Sequence, residues 1–451
     1  MQTIDPGTGV PERPDHRAAI KDRILTRKAM IGVAGVGYIG LPLAVEQAKA
    51  GFDVVAFDHN PIRVAQLNQG SNYLRDVNDA DLAAVVTSGK LKATTQFDSI
   101  GNCDVIVMCV PTPVTPNKDP DTAIIRKIAG EIAAGLRPGR LITLESTTYP
   151  GVTEEVLLPI FQSTGLEVGK DFFLAFSPER VDPGNARYRT SNTNKVVGGV
   201  TPSCLDVAST FYNQTIDSVI PVSSPQVAEM SKVFENTFRA VNVALVNELA
   251  QLCDRMGIAV WEVLDAAGSK PFGMMRFNPG PGVGGHCLPL DPFYFAWKAR
   301  QYDYHMLLTE VAAEINRSMP RFVRDKVIRT LNARSKSLRG SKILIVGLTY
   351  KKDVDDWQES PALKLFRLLD QDGANVEYHD PHVPSLREED GRLLHSVPLT
   401  ADRLRSCDCT VIATDHELFD YDFIVEHSQL VVDSRNATKH VREGREKIIL
   451  L

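Results

Sequence analysis

The chain has 451 residues, 43% hydrophobic and 24% charged, with 31 Gly, 27 Pro and a net charge of −6 at pH 7. That length predicts two or three domains, and the composition excludes a disordered chain, a collagen-like chain and a small disulfide scaffold. Acid and base alternate without a Lys/Arg block, so no nucleic-acid partner is expected. The seven cysteines are scattered, with no CxxC or zinc spacing, which predicts a reducing, intracellular setting, no metal centre and thiols used mostly for packing.

In chain order, residues 1–26 read as a polar, mobile extension with no signal peptide. Residues 29–45 are apolar or glycine almost throughout, about as long as a short membrane span, but Gly32, Gly35, Gly37, Gly40 and Pro42 fit a strand, a tight turn and a helix start better. No membrane anchor is expected. Strands and helices then alternate as in a doubly wound parallel sheet, giving a first Rossmann-like domain over residues 27–212. From residue 225 to 257 apolar positions recur at helical spacing: Val227, Met230, Val233, Phe234, Phe238, Val241, Leu245, Leu249, Leu252. This predicts one long helix inside a helical domain over 213–334, interrupted by a Gly/Pro-rich loop. Strand and helix patterns return over 335–451. The predicted fold class is α/β: two Rossmann-like doubly wound domains joined by a long-helix central domain.

Gly35-Val36-Gly37-Tyr38-Ile39-Gly40 is GxGxxG between a strand and a helix, and a second strand ends at Asp58. Such glycines let backbone N–H groups approach a pyrophosphate at a helix N-terminus, and the acid accepts from a ribose 2′-OH. Asp58 would repel a 2′-phosphate, so NAD is expected over NADP, with Arg63 near enough to complicate the choice. The second α/β region has only Gly347 after its first strand, followed by Lys351 and Lys352. These lysines either meet phosphates of a different nucleotide or lie on a solvated turn.

Gly284-Gly285-His286-Cys287 lies among glycines and prolines, with Asp291 four residues on. A cysteine in such a loop is open to a substrate and activated by nearby N–H dipoles; a small buried packing residue is the plain alternative. His286 is either a base or turned away. Lys232 and Asn236 share a helix face, either an exposed one or a partly buried one that orients an alkoxide or water. Glu179 and Thr147 end strands at the edge where open α/β sheets bind ligands.

With GVGYIGLPLA, CVPTPV, ESTTYPG, SPERVDPG, AEMSKVFENTFRAVNVALVNELA, GPGVGGHCLPLDP and GLTYKKDVDDWQESPALKL in this order, the chain resembles the UDP-glucose/UDP-mannosamine dehydrogenase family of nucleotide-sugar 6-dehydrogenases. The resemblance runs from about residue 28 to the C-terminus. It implies an NAD-binding Rossmann domain, a helical dimerising middle and a C-terminal UDP-binding Rossmann-like domain. It also implies oxidation of a sugar C6 alcohol to a carboxylate with two NAD. Cys287 would be the nucleophile of a thiohemiacetal and then a thioester. Lys232 and Asn236 would stabilise oxyanions, Asp291 would hold a water with Lys232, Glu179 would be the hydrolytic base and Thr147 would position that water. On the cofactor the resemblance places Gly35, Val36, Gly37, Tyr38, Ile39, Gly40, Asp58, Arg63, Thr112, Thr147 and Lys352. On the UDP-sugar it places Glu179, Arg180, Val181, Lys232, Asn236, Lys270, Gly284, Gly285, Lys351 and Arg435. Two positions depart from the pattern: Pro183, where some members carry an acid, and Gln358, where an arginine often stands.

The loop before Cys287 and the loop SPERVDPGN look most like the UDP-N-acetylglucosamine 6-dehydrogenases, which supply acidic amino sugars for bacterial surface polysaccharide; UDP-N-acetylmannosamine is the next expectation, then UDP-glucose or UDP-N-acetylgalactosamine. A cytoplasmic homodimer or larger homo-oligomer is implied. A two-electron β-hydroxyacid dehydrogenase and a non-catalytic NAD-binding protein are the competing readings; the Cys loop and the second α/β domain weigh against the first, and the intact set of polar residues against the second.

Overall fold

The structure, a computed structural model, describes residues 14–74, 77–115, 119–182, 184–185, 187–285, 288, 291–388 and 390–451. It divides into two compact units, Met1–Lys232 and Val233–Leu451.

The first unit opens with helix α1 (His16–Leu25) and continues through β1 (Met30–Ala34), α2 (Gly40–Lys49), β2 (Asp53–Phe57), α3 (Pro61–Asn68), α4 (Asp79–Thr87), β3 (Leu91–Thr94), β4 (Val105–Met108), α5 (Ala123–Ala134), β5 (Arg140–Leu144), α6 (Leu158–Gln162), β6 (Phe172–Phe176), β7 (Lys195–Gly199), α7 (Pro202–Tyr212) and β8 (Val219–Val222). Among the described residues these strands form an eight-stranded sheet in the order β3-β2-β1-β4-β5-β6-β7-β8. Every pairing is parallel except β6 with β7. β4 and β6 are buried at every position, which is why they read as unbroken apolar runs.

Two features differ from the sequence expectation. Residues 16–25 were expected within a mobile extension, yet they form α1. Asp15 caps it by accepting from Ala18 N–H at 3.0 Å, Ile20 and Ile24 are buried in the core, and Arg17 and Lys21 pair with Asp206 of α7. One i,i+4 isoleucine pair in a polar stretch is enough to dock a helix. The rest of that extension, residues 1–13, lies outside the described residues. The sheet also runs past residue 212, because β8 pairs with β7. β8 is a short edge strand that contains Pro221 and alternates poorly, so its pattern does not separate it from the helical domain expected over 213–334.

Helix α8 (Pro225–Met256) is the expected long helix, and the division between the units falls within it. The second unit then holds α9 (Val260–Gly268), α10 (Asp291–Arg300), α11 (Leu307–Asn332), β9 (Lys342–Val346), α12 (Pro361–Gln371), β10 (Asn375–His379), β11 (Ser385–Arg387), β12 (Leu393–His395), α13 (Ala401–Ser406), β13 (Cys409–Ile412), α14 (Tyr421–His427), β14 (Val431–Asp433) and β15 (Ile448–Leu450). Its sheet has the order β10-β9-β13-β14-β15, all parallel, with β11 and β12 as a separate ribbon. One core joins Val246 and Ala250 of α8, Trp261 of α9 and Val323 of α11 to Ile343 and Phe366 of the sheet and its helix. The packing therefore has no break at the expected 334/335 boundary. Val246, Ala250 and Cys253 of α8 and Met319, Val323 and Val327 of α11 are buried by the sheet layer rather than by a core of their own, whereas Phe234, Phe238, Leu245 and Leu252 of the expected α8 stripe are exposed.

Candidate active site

The dinucleotide turn comes first. Gly35 has φ +93°, and a Cβ there would lie 2.5 Å from the Cys109 carbonyl oxygen. A Cβ on Gly40 would lie 1.8 Å from the Gly35 carbonyl oxygen. Packing alone requires glycine at these two positions. A Cβ on Gly37 would meet nothing within 4 Å, so its small size answers to something outside the fold. A pyrophosphate lying on the backbone at the start of α2 is what such a cradle admits. Asp58, directly after β2, accepts from Val36 N–H at 3.1 Å and Asn60 N–H at 2.8 Å, with the Arg63 guanidinium at 3.8 Å. The Tyr73 hydroxyl donates to the Val36 carbonyl at 2.8 Å. Burial first, and the Asp58 carboxylate second, push the Tyr73 phenol up, so it stays a donor. Tyr38 is exposed and Ile39 half-buried. These residues fit an NAD.

Thr147 and Glu179 follow the ends of β5 and β6 in the same unit. The Thr112 hydroxyl donates to the Thr147 carbonyl. Glu179 folds back on its own turn, accepting from Arg180 N–H at 2.8 Å and Val181 N–H at 2.6 Å. Arg180 donates to the Asn194 carbonyl at 2.7 Å.

Three buried ionisable groups at this edge were missed by sequence reasoning. Glu145 is wholly buried, with Lys195 Nζ and the Tyr212 hydroxyl both at 2.7 Å. Burial pulls Lys195 down, but Glu145, with Glu179 also contributing, outweighs it and holds the ammonium up. Glu229 of α8 accepts from Thr153 N–H at 3.0 Å, from the Thr153 hydroxyl at 2.6 Å and from Gly151 N–H, tying the turn after Thr147 to the helix that carries Lys232. Burial pushes Glu229 up, against its three donors. The helical turn there, Thr153–Leu157, is of the wide π type common at functional sites.

On α8, Lys232 is 7% exposed and Asn236 is fully buried, so the exposed-face alternative is excluded. Asn236 Nδ2 donates to Asp291, the buried first residue of α10, and Arg239 donates to Asn236 Oδ1. The structure thus joins two of the expected residues, 55 apart in sequence, in one hydrogen bond. The glycine loop is anchored from both sides: Gly280 N–H donates to Asn247 Oδ1 at 3.0 Å, and Asn247 donates to Asn316 of α11 at 2.9 Å. A Cβ on Gly280 would lie 2.6 Å from the Arg435 guanidinium, which places Arg435 against the loop. Arg435 Nε donates to Asp415 at 3.0 Å. Cβ atoms on Gly284 and Gly285 would lie 2.6 and 2.8 Å from Tyr350. His286, Cys287 and Pro183 lie outside the described residues.

Lys270 is exposed, with Nζ 4.8 Å from the centre of the Phe272 ring. Lys351 and Lys352 are half-buried, and Lys352 pairs with Glu417 at 2.8 Å. That hydrogen bond raises Lys352. Gln358 is exposed. Among the described residues no helix is long and apolar enough to cross a membrane, and the six described cysteines are all buried.

Comparison with known proteins gives the same reading. Three domain models of the UDP-glucose/GDP-mannose dehydrogenase family match in sequence order: the NAD binding domain at residues 29–216, the central domain at 226–318 and the UDP binding domain at 344–440. The UDP-N-acetyl-D-glucosamine 6-dehydrogenase of Pseudomonas aeruginosa is 37% identical over 355 residues, 78% of this chain and 83% of that protein. The NDP-N-acetyl-D-galactosaminuronic acid dehydrogenase of Ralstonia nicotianae is 34% identical, covering 90% of this chain and 95% of that protein. The solved UDP-D-ManNAc dehydrogenase of Pyrococcus horikoshii superposes with a TM-score of 0.84 at 32% identity, covering 93% of this chain and 98% of that one. The chain belongs to the UDP-glucose/GDP-mannose dehydrogenase family and is an NAD-dependent oxidoreductase of nucleotide sugars.

Proposed function

We propose that this protein oxidises the C6 hydroxyl of UDP-N-acetylglucosamine to the carboxylate, in two successive oxidations at one site. The observation that carries this reading is the buried hydrogen bond from Asn236 to Asp291, one helical turn from Lys232 and four residues after Cys287 in the chain. An amide has two N–H donors; Asp291 takes one, and the other serves an oxyanion beside the Lys232 ammonium. The Gly35–Gly40 turn and Asp58 would hold NAD, which would supply the hydride acceptor for each of the two oxidations. The Cys287 thiolate adds to the aldehyde carbon, and the oxyanion so formed is the species that Lys232 and Asn236 neutralise. Loss of the second hydride leaves a thioester on sulfur. The family resemblance assigns the hydrolytic water to Asp291 and Lys232, its deprotonation to Glu179 and its placement to Thr147; the new C–O bond forms as the C–S bond breaks, and the thiolate returns. Covalent retention explains how one site performs both oxidations without releasing the aldehyde.

The choice of sugar rests on the loops around Cys287 and Glu179 and on the similarity to the Pseudomonas enzyme. UDP-N-acetylmannosamine is the second reading, favoured by the TM-score of 0.84 to the Pyrococcus structure. One or two contacts to an acetamido group or a C2 epimer are each worth about 1–3 kcal/mol. A panel of UDP-sugars with NAD, followed by absorbance and product mass, tests both. The reading stands if kcat/KM is highest for UDP-N-acetylglucosamine. It falls if another UDP-sugar exceeds it by about tenfold, a difference of about 1.4 kcal/mol.

The apolar face of α8 supports a homodimer. Phe234, Leu245, Leu252 and Met256 are 59%, 61%, 52% and 61% exposed, and a second copy would cover them. NAD use and buried thiols fit a cytoplasmic enzyme, whose product would enter acidic surface polysaccharide.

A further inference from the structure

The second unit contains a buried histidine that the proposed chemistry does not use. His416, between β13 and α14, has no exposed surface. Its two ring nitrogens are both committed. The Asp353 backbone N–H lies 2.9 Å from Nδ1; a backbone N–H can only donate, so Nδ1 accepts and the proton sits on Nε2. Nε2 faces the Asp380 carboxylate at 3.0 Å. Asp380 is itself buried and also accepts from Leu348 N–H at 2.6 Å, Thr349 N–H at 3.1 Å and His382 N–H at 2.8 Å. One carboxylate and one imidazole therefore grip both ends of the turn from Leu348 to Asp353. Asp353 has φ +59°, a left-handed conformation that costs energy for any residue with a side chain. Its N–H is held by His416 and its Oδ1 by the Glu417 N–H at 2.9 Å.

That turn carries Lys351 and Lys352, and also Tyr350, which packs against Gly284 and Gly285 of the glycine loop. We infer that His416 is a positioning residue of the nucleotide-sugar site: as a neutral imidazole bridging Asp380 and the Asp353 N–H, it fixes the turn that carries Lys351 for the diphosphate and braces Tyr350 behind the loop leading to Cys287. This rests on the proposed function, with Lys351 of the turn on the UDP-sugar. A metal is the rival use of the cluster, since Asp353, His382 and His416 offer ligand atoms within 4.8 Å of one another. The rival is weaker because neither nitrogen of His416 has a lone pair to spare: one accepts from the backbone and the other bears the proton given to Asp380.

The test uses the full-length protein and three variants. The Oδ1 of an asparagine lies near the histidine Nδ1, so His416→Asn keeps an acceptor for the Asp353 N–H. His416→Gln keeps a donor toward Asp380 but loses that acceptor, and His416→Phe loses both. UDP affinity is measured by calorimetry and turnover with the best UDP-sugar of the panel. His416→Phe and His416→Gln should weaken UDP binding and raise the KM for the UDP-sugar by about tenfold or more, the size of one positioning hydrogen bond. Their kcat at saturation should change little, and His416→Asn should recover most of the loss. If His416→Phe does not fold, the Asn and Gln pair decides. The proposal is overturned if Gln and Asn bind UDP as tightly as the wild type, if all folded variants lose kcat and thermal stability together with no separate KM effect, or if a chelator removes UDP affinity from the wild type. Wild-type protein that binds no UDP defeats the functional reading itself, whereas wild-type binding matched by the Gln variant defeats only the role of His416.

Discussion

The two nucleotide-type sheets share one local design and diverge at one carboxylate. In the first, the Gly35 N–H donates to the last carbonyl of β2 at 2.7 Å; in the second, the Gly347 N–H donates to the last carbonyl of β10 at 2.9 Å. Both glycines have positive φ, +93° and +82°. In each sheet the acid after the second strand accepts from the residue after the glycine: Asp58 from Val36, Asp380 from Leu348. The difference lies in what else the acid holds. Asp58 takes two backbone N–H groups and has an arginine at 3.8 Å. Asp380 takes three backbone N–H groups and a buried imidazole and is itself buried, so it braces its own turn instead of facing a ribose. The helices differ as well. α2 begins at Gly40, directly at its turn, while α12 begins at Pro361, well after Gly347. The first sheet thus offers a helix N-terminus and a ribose acceptor, and the second offers two lysine side chains on a braced turn. A fold can be repeated while its ligand chemistry changes.

Five changes separate these roles. The largest effect is expected at the chemistry that joins the two nucleotides. Cys287→Ser should lower multi-turnover activity by at least ~10³, as loss of a covalent nucleophile does, while UDP-sugar and NAD binding both persist by calorimetry. Gly37→Val comes next. Its side chain meets open space in the protein, so thermal stability should hold while NAD affinity falls by about 100-fold or more, or ~2.7 kcal/mol. A matching loss of stability would mean that Gly37 is required by the fold and not by the cofactor.

In the second sheet the same kind of change should act on stability. A Cβ on Gly347 would lie 2.4 Å from the Thr414 carbonyl oxygen at φ +82°; Gly347→Ala should cost about 2 kcal/mol or more in urea unfolding. Asp380 adds a pH signature. Burial pushes its carboxyl up, but the hydrogen bond from His416 and the backbone donors outweigh this and hold it below the ordinary value of 3.8. A depressed folded pKa contributes stability that is present above the unfolded value and lost as pH falls through the folded one. Unfolding free energies of the wild type should therefore decline below about pH 4, and Asp380→Asn should be less stable at neutral pH with a flatter acid slope. An unchanged slope would leave Asp380 without the role assigned to it. The smallest effect is cofactor choice: Asp58→Ala should improve NADP relative to NAD in kcat/KM by about tenfold, a repulsion of ~1.4 kcal/mol relieved. No gain would show that Arg63 already neutralises Asp58.

What the sequence disclosed follows from how local each signal is. The GxGxxG turn, Asp58 and the Lys232/Asn236 face are spaced by the geometry of one turn or one helix, and the structure keeps that spacing. The Asn236–Asp291 bond joins residues that the resemblance had already paired with Cys287. Glu145 with Lys195, 50 residues apart, and Asp380 with His416, 36 apart, could not be read, because an isolated acid at a strand end looks the same whether it faces water or a buried partner. α1 was hidden by its polar residues and β8 by its proline. The merging of α8, α9 and α11 with the C-terminal sheet into one core was hidden because amphipathic periodicity says that a face is buried without saying by what.

The central claim is a four-electron oxidation with a covalent intermediate, and counting reduced cofactor against consumed sugar tests it most directly. Purified protein with limiting UDP-N-acetylglucosamine and excess NAD should yield two NADH per sugar and the uronic acid as the only sugar product. One NADH per sugar, with free aldehyde accumulating, would contradict the account.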